Sequence, residues 1–301
     1  MGNDIHWFPG HMTKTRRMIE ADMKLVDAVA EIVDSRCPEA SHSPLLNELI
    51  GVKPRILILG KSDLSDGKIN ALWKNFYEER GDSVILCDCR SGTGIKNFTP
   101  AVKKTLAELL ARRKAKGTSG MALRVMITGI PNVGKSSFIN RMAAAKRTHT
   151  GDTPGVTRGK QWITIDRDIE LLDTPGILWH KFEDKDVALK LAYTGAIKDV
   201  VLDMTEISAG LAEFLYKHYN ENISARFGIE DGDIRNKYDK NLGFMLLGLI
   251  AKKRGMMMSG GEADIERAAA ALADEFRGGK LGKISLESPK LTANRNANPA
   301  E

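Results

Sequence analysis

One short segment limits this chain more than any other: Gly129-Ile130-Pro131-Asn132-Val133-Gly134-Lys135-Ser136 fits the pattern G-x-x-x-x-G-K-[ST]. The apolar run from Leu123 to Ile127 before it reads as a buried strand, and Ser137 onward reads as a helix. That strand–loop–helix setting separates a working phosphate-binding loop from a chance match. Glycines there let backbone N–H groups face phosphate oxygens at a helix N-terminus. A chain built around such a unit needs a layered sheet to hold it.

Further apolar runs supply that sheet. Ala28 to Val33 ends in Asp34-Ser35-Arg36, Ile56 to Leu59 runs into Gly60-Lys61-Ser62-Asp63, and Val84 to Leu86 precedes the turn Ser91-Gly92-Thr93-Gly94. Helical patterns over Ile69 to Tyr77 and Ala101 to Leu110 alternate with them, which predicts an α/β fold with a doubly wound, mainly parallel sheet. A basic linker, Arg112 to Lys116, leads through Gly117 and Gly120 into the phosphate-loop strand. Gln161 to Ile165 and Ile169 to Leu172 flank Asp166-Arg167-Asp168 as a hairpin. From about Asp203 the pattern becomes helical only, through Leu211, Phe214 and Leu215, then Leu242 to Ile250, then Ile265, Ala268, Leu272 and Phe276. The expected organisation is an N-terminal segment 1–24, an α/β domain 25–180, a connector 181–203, an all-α C-terminal domain 204–286 and a disordered tail 287–301.

No run reaches the roughly 18–20 apolar residues of a membrane span, and Met1 to Gly10 lacks the form of a signal peptide. Cytoplasmic residence without membrane association is expected. Cys37, Cys87 and Cys89 are a sparse, odd set that fits a reducing compartment. Cys87-x-Cys89 lacks the further ligands of a metal site and reads as two cysteines on a strand. The charge of 45 − 39 = +6 matters only where it clusters.

The chemistry follows from residue types. Lys135 reaches the β- and γ-phosphates of a nucleotide and the Ser136 hydroxyl binds Mg²⁺. Asn132, Val133, Gly134 and Ser137 complete the phosphate-binding set. In Asp173-Thr174-Pro175-Gly176, the aspartate holds Mg²⁺ through water and the Gly176 N–H meets the γ-phosphate. Thr157, preferred over Thr150 and Thr153 of the same polar loop, completes the Mg²⁺ shell. Lys61-Ser62-Asp63 is the base-reading candidate. A carboxylate at a strand end accepts from guanine N1–H and the 2-amino group, whereas adenine lacks that donor pair.

The order K-x-D, Gly-rich turn, phosphate loop, T-P-G-x-T, D-T-P-G resembles the circularly permuted GTPases. Trp7-Phe8-Pro9-Gly10-His11-Met12, Leu172 to Trp179, and Arg254-Gly255-Met256-Met257-Met258-Ser259-Gly260-Gly261 are similar to segments of the RbgA/YlqF ribosome biogenesis family. The resemblance covers roughly residues 5–286. It implies GTP hydrolysis coupled to late maturation of the bacterial large (50S) ribosomal subunit, by a monomer that binds rRNA. It also implies that His11 positions the attacking water, since Ile177 stands where many GTPases have glutamine, and that Asn132 helps bind K⁺. Gly60 stands where that family has asparagine. Asp88-Cys89-Arg90 stands in the segment that contacts the guanine oxygen through backbone, at Cys89. The basic sets Lys14, Arg16 and Arg17, Arg112 to Lys116, and Lys252, Lys253, Arg254, Arg277, Lys280 and Lys283 are candidate RNA contacts. Two other classes stay open on the residues alone: a P-loop ATPase or kinase, and a non-enzymatic rRNA-binding scaffold stabilised by nucleotide.

Overall fold

Strand β1 (Ala28–Asp34) is buried at every position, as a parallel strand covered on both faces must be. Its neighbours are β2 (Arg55–Gly60) and β4 (Leu123–Thr128), both parallel to it, with Val29 beside Arg55 and Ala28 beside Val125. With β3 (Ser83–Leu86), β5 (Trp162–Asp166) and β6 (Ile169–Asp173), the sheet has the order β3-β2-β1-β4-β6-β5. Only β5 runs antiparallel, as the return strand of the hairpin with β6. Chain direction across the sheet changes between β1 and β4, and open α/β sheets bind ligands at the C-terminal ends of the strands flanking such a point. The computed structural model describes residues 10–118, 120–147, 162–176, 184–234 and 241–289.

Helices α1 (Gly10–Met23), α2 (Pro38–Ser41), α3 (Pro44–Ile50), α4 (Gly67–Glu78), α5 (Phe98–Thr105), α6 (Ala107–Ala115) and α7 (Lys135–Arg147) complete the α/β unit. Ile19 and Met23 of α1 share a cluster with Val29, Leu46, Met126 and Leu172. Trp73 and Tyr77 of α4 share another with Val33, Leu57 and Leu59. Val29 and Val33 stand on one face by strand alternation, so both clusters lie on that face. Between them on β1, Glu31 is fully buried and accepts from the Ser43 amide at 3.1 Å and pairs with His42 at 2.9 Å. The alternate residues Ala28, Ala30 and Ile32 are buried too, and Phe98 of α5 meets Phe138 of α7 edge to face at 5.2 Å.

The chain forms two compact units, Met1–Glu183 with Ser285–Glu301, and Asp184–Ile284. The second contains α8 (Lys185–Tyr193), α9 (Met204–His218), α10 (Asn220–Phe227), α11 (Leu242–Lys253) and α12 (Ile265–Arg277). Its core is drawn from Leu211, Leu215, Leu246, Ile250, Leu272 and Phe276, and the buried Ser208 hydroxyl donates to the Ala269 carbonyl at 2.9 Å.

Four local expectations change. The second unit begins at Asp184, within the expected connector 181–203, because α8 is capped by Asp184 and buries Ala188, Leu191 and Ala192. The expected tail 287–301 is drawn too early, because Glu287 is buried and its carboxylate accepts from the Glu39 and Ala40 amides at 3.0 and 3.2 Å. The helical pattern 101–110 crosses a break at Leu106, whose backbone is not helical although its buried side chain keeps the apolar period. Cys87 and Cys89 lie beyond β3, in a turn closed by a bridge between Asp88 and Thr93, rather than on the strand. Among the described residues no helix is long and apolar enough to cross a membrane.

Candidate nucleotide site

Every strand bearing a predicted motif delivers it at the same C-terminal edge: β4 the phosphate loop, β6 Asp173, β2 Lys61 to Asp63, and β3 the turn of Cys89. The phosphate loop leaves β4 at Gly129, where φ is +148°. A Cβ there would lie 2.4 Å from the Ile32 carbonyl oxygen of β1, so only glycine lets the loop bend this close to the sheet. Asn132 follows at φ +61°, a conformation uncommon outside glycine. Val133 is buried beneath the loop, while Ser136 and Ser137 are exposed in the first turn of α7.

The Lys135 ammonium folds back over the loop and donates to the Gly129 and Ile130 carbonyls at 3.3 and 3.4 Å. Burial lowers its pKa, with Asp173 acting in the opposite direction. Burial likewise raises the pKa of Asp173, partly offset by Lys135. The two are therefore electrostatic neighbours at the mouth of one cradle. Thr174 fixes the chain after β6 by donating from its hydroxyl to the Ile127 carbonyl at 2.8 Å. Gly176 then lies over the loop, where an added Cβ would stand 3.1 Å from the Lys135 ammonium and 3.1 Å from Pro131.

The base-reading candidates have a rigid foundation. Lys61 holds a left-handed backbone, φ +55°, and its ammonium donates to Asp34 at 3.0 Å. Asp34 also accepts from the Arg36 guanidinium at 2.9 and 2.8 Å. Burial would raise the Asp34 pKa, but Arg36 and Lys61 hold it far below the carboxylate range. Gly60 passes so near the phosphate loop that a Cβ would sit 3.1 Å from the Val133 carbonyl oxygen. A side chain there would push against the loop; glycine lets base and phosphate segments touch directly. The Ser62 amide donates to the Cys87 carbonyl at 3.1 Å, tying this segment to the turn after β3. Asp63 is half-buried beside Asp88, and burial followed by that acidic neighbour raises its pKa. Arg141 of α7 donates to the Arg90 carbonyl at 3.3 Å, joining the phosphate-loop helix to the same turn.

The structure brings together Lys61, Ser62, Asp63 and Cys89 on one side, and Asn132 to Ser137 with Asp173 and Gly176 on the other. Thr157 and the side chain of His11 lie outside the described residues; the backbone of His11 belongs to α1. Several predicted RNA contacts have intramolecular partners. Arg277 binds Asp199 at 2.7 Å and the Ala192 carbonyl at 2.8 Å, Arg254 lies 3.4 Å from Glu275, and Arg113 binds Asp27 at 2.9 Å. Lys252, Lys280 and Lys283 are exposed.

This geometry matches known proteins. The chain is 41% identical to a ribosome biogenesis GTPase A of Bacillus cereus over 95% of its length and 94% of the relative. The chain belongs to the ribosome biogenesis GTPase A family. It is 31% identical to the Thermotoga maritima member, with 95% of each chain covered. The GNP-bound crystal structure of YlqF from T. maritima superposes with a TM-score of 0.63 at 28% identity, covering 92% of this chain and 99% of that one. A family profile described as a 50S ribosome-binding GTPase matches residues 124–229. GTPase membership accounts for the parallel sheet, the phosphate loop and the D-x-x-G segment as one apparatus.

Sequence reasoning overlooked three contributors. Asp34 and Arg36 were visible only as charges ending an apolar strand, a signal that points to a site at the strand's C-terminal end. Glu287 gave no signal, because its partners are backbone amides far away in the chain.

Proposed function

We propose that this GTPase is a cytoplasmic, monomeric, late assembly factor of the bacterial large (50S) ribosomal subunit, which binds rRNA and leaves when GTP is hydrolysed to GDP and phosphate. The observation that carries this is the convergence of phosphate loop, D-x-x-G and K-x-D on one sheet edge, in a chain similar along 95% of its length to ribosome biogenesis GTPase A proteins. Lys135 is already bent over the loop and exchanges its carbonyl contacts for β- and γ-phosphate oxygens. Gly176 lies beside it, where its N–H would meet the γ-phosphate. Loss of that phosphate releases the segment that follows.

The donor set fits Mg²⁺: an exposed Ser136 hydroxyl at the start of α7, and a carboxylate, Asp173, whose burial favours a nearby cation. Ser136 and Thr157 would hold the ion directly and Asp173 through water, and a cation there would supply positive charge against that growing on the β–γ oxygens. Asn132 would help hold K⁺ in the same region. Asp63 would accept from guanine N1–H and the 2-amino group, the Lys61 stem would cover the ring, and Cys89 would meet the guanine oxygen through its backbone. His11 would orient the attacking water. Lys252, Lys280 and Lys283 would follow an rRNA backbone.

GTP turnover with and without purified large subunits, in potassium or sodium salt, tests the proposal. Marked stimulation by subunits is expected, and equal rates would refute the coupling. His11→Ala should lower stimulated turnover while nucleotide affinity stays near wild type; loss of affinity would make the residue structural. Preference for ATP in competition would overturn the base assignment.

A further inference from the structure

The turn that delivers Cys89 to the base side carries a feature the GTPase cycle does not use. The Cys87 and Cys89 sulfurs lie 3.7 Å apart, in hydrogen-bonding contact, with only Asp88 between them. Cys87 is fully buried and Cys89 is half-buried. We propose that Cys87 and Cys89 form a dithiol–disulfide site, oxidised by a small-molecule disulfide such as oxidised glutathione, whose closure weakens guanine-nucleotide binding.

The two thiols have unequal parts. The Cys87 hydrogen bond holds the Cys89 pKa below the ordinary thiol value against the effect of burial, with Arg141 acting in the same direction. The same contact, then burial, pushes the Cys87 thiol up. Cys89 is also the sulfur that an incoming disulfide can reach, since Cys87 is fully buried, and it is therefore the attacking thiol. Its sulfur displaces one half of the incoming disulfide as a thiolate, giving a mixed disulfide at Cys89. Cys87 then loses its proton and attacks the Cys89 sulfur, releasing the other half. Two thiols and one small disulfide become one protein disulfide and two small thiols; the two protons leave on those thiols. Cys37 is fully buried, and burial raises its pKa well above the usual value, so it stays out of the exchange.

Closure must move the turn. A disulfide needs about 2.05 Å between sulfurs, so the gap shortens by about 1.7 Å from its present 3.7 Å. Cys87 cannot supply that movement easily. Its amide donates to the Leu59 carbonyl at 2.9 Å and its carbonyl accepts from Ser62 at 3.1 Å, both on the β2 side. Cys89 moves instead, together with Asp88, whose carboxylate accepts from the Arg90 and Ser91 amides at 2.7 and 3.1 Å. Asp88 is also the acidic neighbour of Asp63. The nucleotide consequence rests on the base-side assignment made above; the disulfide itself does not. A bond closed against this much local structure is readily reduced, the property of regulatory rather than structural disulfides.

The test uses the full-length, nucleotide-free protein equilibrated with mixtures of oxidised and reduced glutathione. Peptide mapping by mass reads the bond, and a fluorescent GDP analogue reads affinity before and after dithiothreitol. Expected are a Cys87–Cys89 disulfide with Cys37 still reduced, about a tenfold loss of GDP affinity by analogy with losing one base contact, and full recovery with reductant. Cys37→Ser should respond like wild type, Cys89→Ser should show no difference between the two redox arms, and Cys87→Ser should stop at a reducible mixed disulfide on Cys89, as expected of an attacking thiol without its resolving partner. In the wild type, persistence of both thiols at saturating oxidised glutathione, or arrest at a mixed disulfide, overturns the site. Closure with unchanged GDP affinity overturns its effect on the nucleotide. If the reduced protein shows no preference for GDP over ADP, the base-side assignment fails, while the mass map still decides the disulfide.

Discussion

Asp34→Asn is the sharpest test of how the base side is held. Asp34 and Arg36 are each 1% exposed, and the carboxylate takes two guanidinium hydrogen bonds at 2.9 and 2.8 Å and the Lys61 ammonium at 3.0 Å. The amide keeps the shape and removes the charge that Asp34 sets against the buried Arg36 guanidinium. Breaking a buried pair from one side costs about 3–5 kcal/mol. At about 2–4 °C per kcal/mol for a unit of this size, the melting temperature should fall by about 6–20 °C. Lys61 loses its anchor as well, so guanine-nucleotide affinity should drop by about tenfold or more, the value of one charged hydrogen bond. Urea unfolding followed by far-UV circular dichroism gives the first quantity and titration with a fluorescent GDP analogue the second. Asp34→Asn with Arg36→Met removes both charges and should recover much of the stability. A loss below about 1 kcal/mol, or a double variant no better than the single one, would refute the idea that an uncompensated charge is what the core resists.

Three further outcomes are expected. His42 has its pKa raised: burial opposes the charge, but the hydrogen bond and charge of Glu31 outweigh it. Its contribution to stability is therefore complete below the unfolded value of about 6.5 and lost as pH rises through the higher folded value. His42→Gln should flatten urea stability across that window, and an unchanged slope would refute the pairing. Glu287→Gln, which weakens the bonds to the Glu39 and Ala40 amides, should lower unfolding free energy by about 1–3 kcal/mol; no change in the urea midpoint would show that the last described residues are passive. Gly129→Ala should abolish nucleotide binding in the same GDP titration, because its Cβ meets the Ile32 carbonyl at 2.4 Å; near-normal binding would mean the loop can relax away from β1.

The α/β architecture was legible because its parallel strands are mostly apolar runs whose ends are marked by polar motifs, as at Leu59–Gly60 and Ile127–Thr128. Backbone geometry was not. Nothing in the letters distinguishes a glycine that replaces a contact from one that permits it, and Gly60 reads as a missing asparagine until its 3.1 Å approach to Val133 is measured. Helix α8 escaped notice because it is short and its buried residues, Ala188, Leu191, Ala192 and Tyr193, all fall in its later part, two of them alanines. The basic clusters were legible only as charge. Charge counts do not reveal which residues already have partners, and Arg277 turns out to be bound to Asp199 and two backbone carbonyls.

The return of the chain at Ser285 has a consequence for how the molecule is made. Ser285 accepts from the Asp66 amide, the Leu286 amide donates to the Arg36 carbonyl, and the Trp73 indole donates to the Glu287 carbonyl. These partners belong to the first third of the chain, yet residues 184–284 are translated before their acceptors and donors arrive. A nascent chain on the ribosome thus carries an α/β unit that is nearly complete but lacks its last stay beside Asp34 and Lys61. The unit is finished only after the whole helical excursion has been synthesised, so a fragment halted before residue 285 leaves this corner of the α/β unit incomplete.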